Sequence, residues 1–249
     1  MKFNNFMKIL ATAILLCGSC SSETTSGTEP NPPTPVDPPK TYTDSEIIEM
    51  VQKDALKYFW DYAQSNSKLA RERYHTDNPG QDAHVVSTGG SGFGLMTILV
   101  GIKNGYVTRT DAVSRLSTAL NFLQNANRFH GAWPHWMDGN TGNVIPFSTK
   151  DNGGDLVETA FLAQGLICVR EYFKNSSDAT ELAISKKADD LWKGIEWNWY
   201  TQGQNVLYWH WSPNYNFEMN HQLRGFDETL ITYVLAAASP NYAIEKTVY

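Results

Sequence analysis

The segment Asp151-Asn-Gly-Gly-Asp155-Leu-Val-Glu158 puts three carboxylates at the front of an apolar run that continues through Leu166. Asp155 and Glu158 are three apart, so on a helix they share a face, with Cβ atoms roughly 5–6 Å apart. Asp151 precedes the glycine pair and can reach the same spot. Clustered acids are costly to bury unless paired, so a purely structural helix gains nothing from three of them. N-terminal capping and the helix dipole account for one or two. Carboxylates converging on one cleft are what acid–base cleavage of a glycosidic bond requires.

Such cleavage needs a protonated carboxylic acid at the leaving oxygen and a carboxylate opposite. A gap of roughly 6.5–9.5 Å gives inversion and about 5–5.5 Å gives retention. As neighbours on one helix, Asp155 and Glu158 are too close for an inverting pair. They suit the holding of sugar hydroxyls and the raising of a partner's pKa by like-charge crowding. Glu228, at the start of a later apolar run, is the expected acid or base, facing Asp155 or Asp151, with inversion the expected outcome. Trp133, His135 and Trp136 could stack on sugar rings or plug one end of a helical barrel. Trp209, His210 and Trp211, which precede Glu228, are placed in the cleft. His221 reads as a loop hydrogen-bonding group. Asp151 and Asp155 offer the oxygen ligands that calcium takes, but the reading assigns no metal.

The elements that must position these groups are helices joined by long loops. Thr43-Asp-Ser-Glu46 opens the first, with a capping signature and an apolar stripe from Ile47 to Tyr62. Ser91-Gly-Phe93-Gly94 leads into the second, which ends at Asn104-Gly105. Thr110-Asp111 caps a third, a fourth runs from about Gly154 to Phe173, a fifth from Ala179 to about Trp197, and a sixth from Asp227 to Ala238. Ala132–Thr149 and Thr201–Arg224 are long, aromatic loops of the kind that carry function, with a short strand expected within Val206–Trp211. The second, fourth and sixth helices are apolar all round and open on Gly-rich or acidic stretches, while the first, third and fifth keep a polar face. Buried helices start about 60–75 residues apart, a hairpin-sized period. The pattern is all-α, an α/α toroid with functional residues at one end of its inner ring.

Met1–Cys20 has Lys2 and Lys8, then the apolar run Ile9–Leu16, then Cys17-Gly-Ser-Cys20. This is a secretory leader, too short to span a membrane. Cys20 is the expected lipidated residue, anchoring a lipoprotein in the cell envelope, at the outer membrane facing the periplasm or the cell surface. Residues 21–40, rich in Pro, Ser and Thr, cannot bury a core and read as an extended tether. Residues 41–249 form the folded domain, large enough for one good core. Of three cysteines, Cys168 alone lies in this domain, so neither an internal disulfide nor a zinc site is available to it. The net charge of −6 and the lack of a basic stripe argue against nucleic acid as a partner. Eight Trp and 12% aromatic residues are many for a helical chain, as sugar-stacking faces would demand.

The chain resembles the glucoamylase-like proteins of glycoside hydrolase family 144. The resemblance is carried by Ser87-Thr-Gly-Gly-Ser-Gly-Phe93-Gly94, Gly131-Ala-Trp-Pro-His-Trp136, Asp151-Asn-Gly-Gly-Asp-Leu-Val-Glu-Thr159 and Gly225-Phe-Asp-Glu228. It implies a twelve-helix toroid, of which this chain carries three hairpins, and β-1,2-glucan as substrate. It also implies hydrolysis without an organic cofactor, and places Asp151, Asp155, Glu158 and Glu228 at acidic active-site positions. Phe93 joins the expected sugar-contacting aromatics, and a monomer is expected. Two other classes stay open. One is a sugar-binding fragment without turnover; the other is a different toroid enzyme, such as a polysaccharide lyase, whose uronate-binding cleft would be basic rather than acidic.

Overall fold

The computed structural model describes residues 40–249. The leader, Cys20 and the expected tether up to Pro39 lie outside the described residues. The folded unit comprises Tyr42–Tyr249. Helix α1 spans Asp44–Trp60, α2 Thr88–Lys103, α3 Arg109–Asn125, α4 Leu156–Phe173, α5 Ala179–Lys193 and α6 Leu230–Ala238. The sequence explains most of the starts. Thr43 and Glu46 close a reciprocal capping box on α1. Ser87, Thr108, Asp155 and Asp178 each accept a hydrogen bond from a first-turn N–H of α2, α3, α4 and α5.

The helices pack as an inner and an outer set. Helix α4 packs against α2, α5 and α6, α1 packs against α2, and α3 packs against α5. Helices α2 and α4 are buried around much of their circumference, whereas α3 and α5 bury one stripe each. For α2 to α5 this is the expected alternation of inner and outer helices; α6, expected to be buried on every side, buries Thr232, Tyr233, Leu235 and Ala236 and leaves Val234, Ala237 and Ala238 exposed. The two inner helices α2 and α4 meet backbone to backbone at glycines. A Cβ at Gly92 would lie 2.2 Å from the Phe161 carbonyl oxygen, and one at Gly165 would lie 2.4 Å from the Gly92 oxygen. The chain therefore spends two helix-weakening residues to bring the inner helix ends together. Helix α1 buries only Leu56 and leaves Ile47, Ile48, Met50 and Val51 exposed. Among the described residues no helix is long and apolar enough to cross a membrane.

Several boundaries differ from the sequence reading. The third helix starts at Arg109, capped by Thr108 rather than Thr110-Asp111. The fifth stops at Lys193, because Gly194 caps it, and Trp197–Thr201 forms a separate 3-10 turn. The sixth begins at Leu230, not Asp227. There the Asp227 carboxylate accepts hydrogen bonds from Thr229 N–H (2.9 Å) and its hydroxyl (2.7 Å), holding a non-helical turn ahead of the helix.

Short strands take the place of the expected loops. Strand β1 (Val85–Ser87) pairs antiparallel with β2 (Trp136–Asp138), which pairs with β3 (Val144–Ile145). Strand β4 (Gly154–Asp155) pairs with β5 (His210–Trp211). Of the strand expected within Val206–Trp211, only the last two residues are ladder-paired. Strands β1 and β4 each run straight into an inner helix, α2 and α4. The Trp133–Trp136 segment bridges those two helix starts. The Thr88 N–H donates to the His135 carbonyl (3.1 Å) and the Asp155 N–H to the Trp133 carbonyl (2.9 Å).

Candidate active site

Asp155 is the hub. It is fully buried and precedes α4 as the last residue of β4. The expectation that Asp155 and Glu158 stand side by side within one helix is therefore corrected. The β4–β5 ladder holds Asp155 extended, and it caps the helix that Glu158 has entered. Its Oδ1 accepts from the Glu158 N–H (2.8 Å) and from Trp209 Nε1 (2.8 Å). Its Oδ2 lies 2.9 Å from His135 Nδ1 and 3.7 Å from His210 Nε2. Asp151 is also buried, with Oδ2 3.4 Å from His210 Nε2 and 4.0 Å from His135 Nδ1. Glu158, half-buried, turns away to accept from the Gly89 N–H at 2.8 Å, where the positive end of α2 favours an anion.

These surroundings separate the groups by protonation. Burial, reinforced by the charge of Asp155, pushes Asp151 up to about 7. Burial, then Asp155, also pushes Glu158 up. His135 is pulled down by its burial, but the hydrogen bond to Asp155 and the carboxylate charges outweigh that, so it rises. Burial drives His210 down to about 4, leaving a neutral imidazole whose Nδ1 is buried without a hydrogen-bond partner. The centre thus pairs a carboxyl that keeps its proton close to neutral pH with a second, multiply hydrogen-bonded carboxylate. That division supports acid–base work at pH 7. Among the described residues, His135, Asp151 and Asp155 also bring ligand atoms within 4.8 Å of one another, close enough to hold a cation. Of the imidazole–carboxyl contacts in this cluster, His135–Asp155 at 2.9 Å is the hydrogen bond.

The other expected site residues divide. Trp133 is fully buried, so its assignment as a sugar contact is overturned. Its Nε1 donates to the Leu123 carbonyl (3.1 Å) and its ring lies 4.1 Å from the Arg128 guanidinium carbon. It plugs the helix ends, while His135, two residues on, reaches the carboxylates. Trp209 binds Asp155 rather than standing free, and its ring packs on His210. Trp136 is half-buried against Phe147, which also stacks on His135. Trp211 is half-buried, edge-on to His130. Phe93 is exposed on α2, beside Phe161. His221 is exposed, 6.0 Å from the His210 ring. Glu228 is exposed and takes no part in the hydrogen bonds and ion pairs that join Asp151, Asp155, His135 and His210. His210 was read from the sequence only as a cleft-side neighbour of Trp209 and Trp211, not as a partner of the carboxylates. Its alternation with two tryptophans in a short strand was the signal available.

The chain is 43% identical, over 98% of its length, to the exo β-1,2-glucooligosaccharide sophorohydrolase (non-reducing end) of Parabacteroides distasonis. The chain is a relative of β-1,2-glucan hydrolases. It superposes on the endo-β-1,2-glucanase of Chitinophaga pinensis with a TM-score of 0.81 and 52% identity over 84% of its length. A β-1,2-glucanase structure from Parabacteroides distasonis gives 0.79 and 46% over 84%. The chain spans 32% of the sophorohydrolase and 50% of the Chitinophaga chain, so it matches about half or less of each. No family model matches it. The resemblance to glucoamylase-like β-1,2-glucan enzymes and the α/α toroid fold, here a fragment of it, both hold.

Proposed function

We propose that this chain carries the acidic centre of a glycoside hydrolase acting on β-1,2-linked glucan. The observation behind the reading is the Asp151–Asp155 pair, buried at the start of an inner helix and clamped by two histidines. In this reading Asp151 holds the proton that the leaving oxygen takes. Asp155 and Glu158 fix its pKa and bind sugar hydroxyls. Glu228, solvent-exposed where α6 begins, activates the water on the opposite face, with inversion as the outcome. The half-buried Trp136 and Trp211 and the exposed Phe93 offer ring faces for the sugar. Cys20 is lipidated and the Pro-rich stretch holds the domain at the cell envelope; the leader sequence alone supports this part.

The test is sugar release from β-1,2-, β-1,3- and β-1,4-glucans. The assay uses the 249-residue chain and the same chain complemented by the C-terminal half of the Chitinophaga enzyme. General acid–base assistance is typically worth about 10²–10⁴-fold. Glu228→Gln should lower the complemented rate on β-1,2-glucan by that factor and leave the fold intact. Near-normal activity of this variant refutes its role. Absence of cleavage of every glucan by the complemented protein refutes the function.

A further inference from the structure

Away from the carboxylates, the 3-10 turn after α5 borders a hollow of about 550 Å³, lined by Glu196, Asn198, Trp199, Gln202, Phe217 and Tyr242. That volume is within the range of ordinary small-ligand sites. Trp199 is 42% exposed, an unusual amount for so large an apolar ring. It is nonetheless held in place. One face stacks on the His130 imidazole, with centroids 3.7 Å apart and planes 15° from parallel. His130 meets Trp211 edge-on at 4.9 Å, and its Nδ1 lies 3.1 Å from the Glu196 carboxylate. The Glu196 N–H in turn donates to the His130 carbonyl (3.2 Å).

The backbone around this platform is forced. His130 (φ 48°) and Gln202 (φ 53°) both adopt the left-handed region, each followed by a left-handed glycine, Gly131 or Gly203. For side-chain-bearing residues that conformation costs on the order of 1–3 kcal/mol, and it persists where the surroundings impose it. One of these turns positions the ring beneath Trp199, and the other closes the 3-10 turn and borders the hollow. The result is a pre-oriented indole with a carboxylate and two side-chain amides around it; among the described residues no lysine or arginine lines the hollow, and the buried Arg128 lies near enough to interact with the Glu196 charge. Amides and a carboxylate match the hydroxyls of a neutral sugar, and the indole matches its C–H face. Glu196 disfavours an anionic ligand.

We propose that the Trp199 hollow is a second saccharide-binding site, taking neutral pyranose units of an oligosaccharide apart from the acidic centre. That its ligand is β-1,2-linked glucan rests on the function proposed above; that it binds a neutral sugar rests on its own groups. Because His130 touches Trp211, and Trp211 pairs with Gly154 next to Asp155, a bound chain would run along the rim toward the carboxylates.

Calorimetric titration of the 249-residue chain with sophorose, longer β-1,2-glucooligosaccharides and cellobiose tests this without turnover. Trp199→Ala should weaken binding at this site by about tenfold or more. Trp199→Phe, which keeps a ring on His130, should stay within a few-fold of wild type, and Asp151→Asn should leave the Trp199-dependent component unchanged. Far-UV circular dichroism of each variant checks that the fold is kept. Equal affinity of wild type and Trp199→Ala overturns the proposal, as does an absence of binding by wild type at millimolar sugar. If that occurs while Glu228→Gln still lowers hydrolysis by the complemented protein about 10²-fold or more, the catalytic reading survives and only the second site fails.

Discussion

Replacing Asp151 by asparagine should make the chain more stable at alkaline pH, because the fold holds this carboxyl against its ordinary acidity. Asp151 titrates near 7 in the folded state, against 3.8 for a free side chain. Below pH 3.8 both states are protonated and the group is neutral in its effect. Between 3.8 and 7 the unfolded chain has released the proton and the folded chain has kept it, so stability falls as pH rises. The slope is about 1.4 kcal/mol per pH unit, since one proton separates the two states. Over the roughly three pH units between the two values the loss reaches about 4 kcal/mol, complete above pH 7. Asparagine has the same shape and does not titrate. The advantage of Asp151→Asn over wild type should therefore widen from pH 4 to pH 8 by up to about 4 kcal/mol. His135 acts in the same direction. Part of its raised pKa comes from Asp151, and the stability it lends below pH 6.5 is lost as pH climbs through its folded value. Urea denaturation of both proteins at four pH values between 4 and 8.5, followed by circular dichroism, measures the gap. A gap that changes by less than about 1 kcal/mol across that range refutes the claim that burial and Asp155 hold the Asp151 proton.

Gly92→Ala should destabilise the chain by about 2–3 kcal/mol or more, because its Cβ would sit 2.2 Å from a backbone carbonyl of α4; thermal unfolding checks this, and an unchanged midpoint means the helices can separate freely. Trp209→Phe keeps the ring against His210 but removes the Nε1 donor from buried Asp155, a hydrogen bond to a charged group. It should cost about 1.5–3 kcal/mol at pH 7 by the same urea assay, and no loss would mean that Asp155 does not depend on that donor.

The alternation of apolar and polar helices was legible because each helix reports its own environment in its own periodicity. The first cap was legible for the same reason, Thr43 and Glu46 being three residues apart, but the third helix is capped by Thr108 rather than Thr110-Asp111, and Asp155 caps its helix instead of lying within it. What the sequence hid is set by pairing between distant segments. Nothing near Asp155 announces that Gly154–Asp155 will ladder with His210–Trp211, yet that register brings His210 to Asp151 and Trp209 to Asp155. Trp133 and His135 look equivalent in a Trp-Pro-His-Trp run. The indole ends in the core under Arg128, whereas the imidazole stops at the carboxylates. Composition alone could not divide them. Glu228 was read as the first turn of a helix, but the side chain of Asp227 captures Thr229 first and delays the helix to Leu230.

The geometry also explains why an acidic cluster and a helix cap need not be rival readings. Asp155 gives Oδ1 to structure, receiving the Glu158 N–H and Trp209 Nε1, and gives Oδ2 to the histidines. Glu158 ties the first turn of α4 to the Gly89 N–H of α2, so one carboxylate links both inner helix starts. The α2–α4 approach at Gly92 and Gly165 keeps those starts within reach of a single strap, Trp133–Trp136. Asp155 and Glu158 are thus each anchored by a backbone N–H that a helix start leaves unpaired, and the anchoring oxygens orient the carboxylates. Such anchoring restrains the Asp155–His135 contact to one arrangement before any ligand arrives, which is the preorganisation that makes a buried proton useful in catalysis.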